Sequence, residues 1–291
     1  MKKLLSIALA SVLLFSCAVA EMTLVDPYAE CPVEAALSEY LAGALAERLA
    51  TPVTVRHEPD AAQAANAFFA LPAEEALLLA NQGVLIVSLQ GYTDQDMRTA
   101  VRPAARVAAS GSAFYAASSI AETLRDMDPE ALTAYTEEHP YELFIARLVD
   151  ASHNDYLELN ATEEMYVDQN LYMSYDEVME AAADGAPDLL VLSDAMLPDG
   201  MQEYRKLFDT DEAGIWQGLF LQEQASAERV KFVSEALADI CAADAWSALL
   251  VDGGYTRNGY EGEEAFTAEV QALIADYIRY LTNEGLFFYE W

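Results

Sequence analysis

The residues best equipped for chemistry are few and widely spaced. His57, His139 and His153 are the only three histidines in 291 residues. No H-E-x-x-H or mixed Cys/His set at ligand spacing occurs, so the sequence offers no zinc site. Asp209-Thr210-Asp211-Glu212 begins like a calcium loop. Phe220 stands where the closing bidentate glutamate belongs, so the stretch reads as a polar loop. The G-x-S-x-G elbow, the phosphate-cradling G-x-x-x-x-G-K and the dinucleotide G-x-G-x-x-G are all missing. With 49 acidic side chains, chance pairs are guaranteed, and any acid/base dyad drawn from them would be arbitrary. The pattern is not that of an enzyme and calls for no cofactor. What remains is hydrogen-bonding chemistry suited to holding a polar solute. Ser152, His153 and Asn154 fall together in a predicted loop, and Asn81 and Gln82 end a predicted strand before Gly83. Tyr28 would either stack on a ligand or pack under the first helix. Trp216 and Phe220, interleaved with Gly214 and Gly218, read as hinge or core packing, and His57 and His139 as structural or exposed.

These side chains need a framework, and the hydrophobic patterning supplies one. Met22–Asp26 reads as a strand broken by Pro27. Pro32 suits the first turn of a helix running to about Ala50, and Pro52–Arg56 is the next strand. Strand, helix, strand in that order opens an α/β domain with a parallel sheet. A helix over Ala61–Ala70 and the runs Leu77–Ala80 and Val84–Leu89 continue it. Further on, Ala104–Ala109 and Ala113–Ala117 are strand-like on either side of Gly111. A helix over Asp128–His139, a strand near Leu143–Ala146, a strand end or turn at Val167–Asn170, a helix over Tyr175–Ala183 capped by Ser174, and the strand Asp188–Ser193 repeat the grammar. Ser226 opens a helix to Cys241 with Val230, Val233, Leu237 and Ile240 along one face. A final helix spans about Glu263–Glu284, with Gly285 as its cap. No tandem repeat or flexible linker interrupts the chain.

Composition limits the partners. Apolar residues make up 54% of the chain, and mean hydropathy is +0.09, which supports a real core. A net charge of −34 repels nucleic acid and anionic lipid, so neither is an expected partner. Residues 1–20 read as a signal peptide, with Lys2 and Lys3 before the apolar run Leu4–Phe15. Cleavage after Ala18-Val19-Ala20 would give a soluble product starting at Glu21. Leu14-Phe15-Ser16-Cys17 offers the alternative of a lipoprotein anchored through Cys17. Either route places the protein in the periplasm or otherwise outside the cytoplasmic membrane. No other apolar run reaches the roughly 18–20 residues of a membrane span. Cys31 and Cys241 read as two unpaired thiols, at least one of them buried.

Several segments, in order, resemble the substrate-binding proteins of tripartite tricarboxylate transporters. MTLVDPYAE is similar to the family opening "I-T-L-V-V-P-Y/F-A-A". PVTVRHEPDAA resembles "P-V-V-V-E-N-R-P-G-A", and LLLANQGVL resembles the third strand and the loop after it. RPAARVAASGSAFYA resembles the "F-T-P-V-A-R-V-A" stretch that enters the second lobe. GIWQGLF and the helix after it resemble the return to the first lobe through "W-x-G-L-F". The region from Ile120 to Ala213 matches in little detail. The resemblance implies an α/β fold of two hinged lobes, the type II periplasmic-binding-protein architecture, with a ligand cleft between them. Lobe one would comprise residues 21–107 and 219–291, and lobe two residues 108–218. It also implies a monomer that captures a small-molecule solute by closure and docks on membrane permease subunits.

Ligand contacts follow from the same resemblance, because family loops at strand ends present backbone N–H groups to a carboxylate. The matching positions are Pro27, Tyr28, Ala29, Glu30 and Cys31 after the first strand, Asn81 and Gln82, Ser152 to Asn154, and Asp168, Gln169 and Asn170. The chain departs from the family at these loops. Glu30, Cys31 and Pro32 replace "A-G-G", and Pro32 has no N–H to donate. Pro59-Asp60-Ala61-Ala62-Gln63 replaces "P-G-A-G-G". A tricarboxylate facing Glu30 and Asp60 would be repelled. An amino acid, an amine-bearing ligand or a neutral polar solute becomes credible beside the small organic acid or amino-acid-like solute that the resemblance implies, as does a drifted homologue that binds no small molecule and serves in sensing or protein interaction.

Overall fold

A computed structural model describes residues 21–27, 32–90, 92–148, 165–172, 175–193, 204–209, 215–253, 255 and 259–283. The leader with Cys17, the loop positions Tyr28, Ala29, Glu30 and Cys31, the cluster Ser152, His153 and Asn154, and the caps Ser174 and Gly285 lie outside the described residues.

The first sheet has the strand order β2-β1-β3-β10-β4, from Val53–His57, Met22–Asp26, Ala76–Ala80, Ile215–Gln222 and Val101–Ser110. β1 runs parallel to β2 and to β3, while β10 is antiparallel to both β3 and β4. The central strand β3 is ALLLA, fully buried, because helices cover both sides of the sheet. Those helices are α1 (Pro32–Leu49), α2 (Ala61–Ala70), α3 (Gln82–Leu89), and, later in the chain, helices at Ala227–Cys241, Asp244–Asp252 and Glu263–Asn283. Their apolar faces and the sheet form one continuous core, from Leu24 and Leu41 to Trp246 and Phe266. Cys241 sits in this core as an unpaired thiol, and burial pushes its pKa up to about 12.

The second sheet has the order β7-β6-β8-β5-β9, from Asp168–Tyr172, Phe144–Leu148, Leu189–Ser193, Ser112–Ala117 and Tyr204–Asp209. Alternation along β5 divides its core in two. Ala113, Tyr115 and Ala117 face Val178 and Ala182 of the helix Tyr175–Ala183. Phe114 and Ala116 face the other way, onto Leu124 of the helix Ser118–Leu124 and Leu132 of the helix Pro129–Glu138. The chain changes sheet twice. β4 ends at Ser110 and β5 begins at Ser112, so Gly111 is the single residue between the sheets. β9 ends at Asp209 and β10 begins at Ile215. The lobe limits anticipated at Val107 and Gly218 lie inside β4 and β10, a few residues from these changes of sheet.

The order of elements agrees with the sequence reading at most points, and two segments differ. Asn81 and Gln82 do not end a strand. Asn81 is the N-cap of α3, its Oδ1 accepting from Val84 N at 2.9 Å. The run after it, QGVLIVSL, is apolar on nearly every side because the helix is buried all round. Apolar periodicity alone cannot tell such a run from a strand. Val167–Asn170 is not a turn: Asp168–Asn170 are the first three residues of β7, so the segment is the opening end of a strand. Ser226 does cap the helix Ala227–Cys241, its Oγ accepting from Arg229 N at 3.1 Å.

The outer edge of β4 is closed by residues 259–261. Arg106 N donates to Glu261 O and Glu261 N to Arg106 O, both at 3.0 Å. The Arg106 guanidinium holds Gly259 O at 2.6 Å and the Glu269 carboxylate at 2.8 Å. A side chain at 259 would bring its Cβ to 2.6 Å from Ala109 N, so only glycine allows this approach. Gly259→Ala is expected to lower stability by about 1–3 kcal/mol. Gly43→Ala, in the middle of α1 with nothing within 4 Å of the added methyl, is expected to raise it by about 0.5–1 kcal/mol. Urea unfolding of the two variants measures both, and a neutral Gly259→Ala would mean that the strap is not held closely.

Candidate functional site

Strand direction fixes where a site can form. Ile215 pairs with Ser110 at the crossing between sheets, and Gly218 pairs with Ala80, so the C-terminal end of β3 points to the crossing. β1 and β2 run parallel to β3, which brings Asp26 and His57 to the same end. In the second sheet Ser112 pairs with Ser193, and β6 and β7 run parallel to β8. Their C-terminal ends, Leu148 and Tyr172, therefore face the crossing as well. Carboxyl ends of strands from both sheets converge on one crevice, the position at which open α/β sheets bind ligands.

On the first-lobe side, three helices start at that crevice. α1, α2 and α3 each follow the C-terminal end of a strand, so their positive dipole ends and first N–H groups are directed there. Two of the starts are already engaged by the chain's own side chains. Asn81 caps α3, and Gln82 Oε1 accepts from Trp216 N at 3.3 Å, tying the helix start to β10. Asp60 caps α2, its Oδ1 accepting from Gln63 N at 2.7 Å and its Oδ2 from Gln63 Nε2 at 2.8 Å. The carboxylate that the sequence set against an anionic ligand is thus committed to its own helix start.

The sequence reading gave no role to Asp26, which is fully buried at the end of β1. The Ser38 hydroxyl on α1 donates to its Oδ2, and His57 Nδ1 lies 3.2 Å from the same oxygen. His57 Nε2 lies 3.3 Å from Glu39 Oε1, so both ring nitrogens face carboxylates. Serine, aspartate and histidine here do not form a nucleophile with its base. The serine gives its proton toward a carboxylate rather than to the imidazole, so the trio is a polar lock joining β1, β2 and α1, with Asp26 and Ser38 buried and His57 at the surface. The signal was present in the sequence: an acid ends the apolar run MTLVD where the resembled family carries valine.

Of the remaining candidates, Pro27 is buried directly after Asp26 at the crevice end. Asp168 opens β7 opposite Phe144, at the end of the second sheet away from the crossing, with Gln169 and Asn170 next along the strand. His139 stacks on Tyr135, with ring centroids 4.5 Å apart, and meets Glu142 at 3.2 Å. Trp216, Phe220 and Phe266 form a buried aromatic group under β10. A separate half-open groove of about 640 Å³ lies at the N-terminal ends of the first-sheet strands, lined by Thr51, Glu74, Ser226, Arg229 and Phe232 among others. It is remote from the converging strand ends, and four of its charges are paired, Arg229 with Glu74 at 3.4 Å and Lys231 with Glu235 at 3.8 Å. Burial raises the Glu74 pKa, but hydrogen bonds from Ser226 and Arg229 outweigh it and hold the carboxyl below its ordinary value. Among the described residues, no helix is long and apolar enough to cross a membrane, and no cluster of His, Cys, Asp and Glu could hold a metal ion.

The fold is that of two-lobed periplasmic solute-binding proteins. MatC of Rhodopseudomonas palustris, solved with bound malate, superposes with a TM-score of 0.66 at 16% identity, covering 88% of this chain and 97% of that one. A second R. palustris protein, solved with adipate, gives 0.68 at 17% identity over 91% and 97%. A TctC solute-binding protein from Polaromonas gives 0.66 at 16% identity over 91% and 98%. No protein-family model and no curated protein matches the sequence. The likeness read from sequence segments and the likeness of the fold point to the same group of proteins.

Asp26→Ala removes the acceptor shared by Ser38 and His57 and is expected to cost about 1–3 kcal/mol. Asn81→Ala, which loses only a cap, is expected to cost about 1 kcal/mol. Chemical denaturation orders the two variants, and an Asp26→Ala midpoint equal to the parent would refute the lock. The lowered carboxyl of Glu74 contributes stability above the ordinary glutamate range, and this is lost as pH falls through its folded value. Glu74→Gln should therefore flatten the acid limb of the melting-temperature profile below about pH 5. An unchanged acid limb would count against the hydrogen bonds that Ser226 and Arg229 give to Glu74.

Proposed function

We propose that this chain is an extracytoplasmic solute-binding protein of the tripartite tricarboxylate transporter type. It captures a small organic acid or amino-acid-like solute between its lobes and delivers it to a membrane permease. One observation carries the reading: carboxyl ends of strands from both sheets, and the starts of α1, α2 and α3, meet at a single crevice, in a fold shared with proteins solved holding malate and adipate. Binding of this kind needs backbone donors aimed at an anion and a hinge that excludes water on closure. Gly111, the single residue between β4 and β5, is a connection at which such a hinge would bend. The crevice contacts proposed are Pro27 to Cys31, Asn81 and Gln82, and Ser152 to Asn154; Asp168, Gln169 and Asn170, expected there from the resemblance, open β7 from the opposite end of the second sheet and are not among them. The mature protein is a monomer that starts at Glu21, or at a lipidated Cys17.

A second reading has its own support. Glycines expected in the family's ligand loops are replaced, and Asp60 and Asn81 engage helix starts that a ligand would use. A drifted homologue that keeps the fold for sensing or protein interaction would look the same at these points.

Thermal unfolding in the presence of malate, adipate, citrate, glutamate and neutral amino acids separates the readings. A solute at 100 times its Kd stabilises by about 2.7 kcal/mol, a rise of roughly 5 °C in a domain of this size. Native mass spectrometry of protein from its own host would reveal a bound solute and the mature N-terminus. If no solute shifts the transition and none co-purifies, the interaction-module reading stands and capture does not.

A further inference from the structure

We infer that the end of the second lobe farthest from the crevice is a docking surface for a partner protein presenting a basic, arginine-bearing segment. The inference stands independently of the solute-binding reading. Among the described residues, three of the five exposed large hydrophobic side chains meet there: Tyr141 at 59% exposure, Tyr166 at 48% and Phe144 at 39%. The backbone joins them. Tyr141 N donates to Tyr166 O at 2.9 Å, and Phe144 pairs with Asp168 where β6 and β7 begin. Both strands point away from this end toward the crossing, so a partner seated here leaves the crevice open.

Tyr141 adopts a left-handed backbone with φ 61°, where a bulky side chain is disfavoured and glycine is not. Ala50, the other non-glycine residue with positive φ, follows directly on α1, where helices commonly end in this conformation. Tyr141 instead follows His139 and Pro140, past the end of a helix, with its side chain in solvent. Strain held at an exposed aromatic points to selection for the side chain rather than for the fold. Large aromatics left in water at one place mark an interaction surface.

Charge identifies the occupant. Glu138, Glu142 and Asp168 are exposed at this end, close in the chain to Tyr141 and Tyr166, and Glu142 also meets His139 at 3.2 Å. Aromatic faces with carboxylates at their rim attract guanidinium groups by cation–π contact and bidentate hydrogen bonding. A second copy of this chain would bring the same acids and a net charge of −34, and would be repelled.

The test is calorimetric titration of the mature protein with nona-arginine at about 0.15 M salt, with nona-lysine reporting attraction by charge alone. Nona-arginine is expected to bind at least about five-fold tighter than nona-lysine, and Tyr141→Ser/Phe144→Ser/Tyr166→Ser to weaken it about ten-fold or more. Glu228→Gln/Glu235→Gln, on the first lobe, should leave it unchanged. Tyr141→Gly should lose affinity about three-fold while melting at or above the parent temperature, because glycine accepts the left-handed backbone. Equal affinity of the parent and the aromatic triple variant overturns the inference, as does equal binding of the two peptides. A Tyr141→Gly variant that melts several degrees lower would make the tyrosine structural. Self-association abolished by the triple variant would assign the surface to a second copy. Either of these results also overturns it.

Discussion

β10 enters the first sheet between β3 and β4 and hydrogen-bonds to both, in the opposite direction to β3. The architecture depends on this insertion. The strand brings the chain back from the second sheet, fills the middle of the first, and fixes which end of β3 faces the crossing. Because β1 and β2 are parallel to β3, one antiparallel register decides that Asp26, His57 and Asn81 gather at the crevice. The pairing is also where Gly218 lies under Phe266, in contact too close for any larger residue. Trp216, Phe220 and Phe266 then pack as a group whose burial anchors the last helix to the returning strand.

Around the crevice the molecule spends polar groups on itself. Asp26 is buried with two hydrogen-bonding partners, Asp60 and Asn81 cap the helices that follow them, and Gln82 receives Trp216 N. Buried or half-buried carboxylates are tolerable only when hydrogen-bonded, and each of these is.

Much of the architecture was legible in the sequence because its elements are punctuated. Pro27 and Pro32 bracket the first loop, Ser226 opens its helix, Pro129 sits in a first turn, and Gly111 marks the change of sheet. The misreadings have one physical cause. QGVLIVSL is buried on nearly every side and Asp168-Gln169-Asn170 is a polar run with two exposed residues, so neither shows the periodicity of its type. Asn81 and Gln82, read as the end of a strand, are the cap and first residue of a helix, and Val167–Asn170, read as a strand end or turn, leads into the opening of β7. The candidate site was legible in part. Asn81 and Gln82 stood out as polar residues closing an apolar run, whereas Asp26 and His57 lie 31 positions apart and each looks unremarkable alone.

By itself, the sequence determined the alternation of strands and helices, the acidic surface and the absence of any nucleophile motif or metal-ligand spacing, because these are properties of local pattern and composition. Only the tertiary structure decided that β10 threads between β3 and β4, that Ser38, Asp26 and His57 share one buried oxygen, and that Tyr141, Phe144 and Tyr166 lie together at the far pole. Each of those depends on strand order and register, which are set by packing between residues distant in the chain and leave no trace in local spacing.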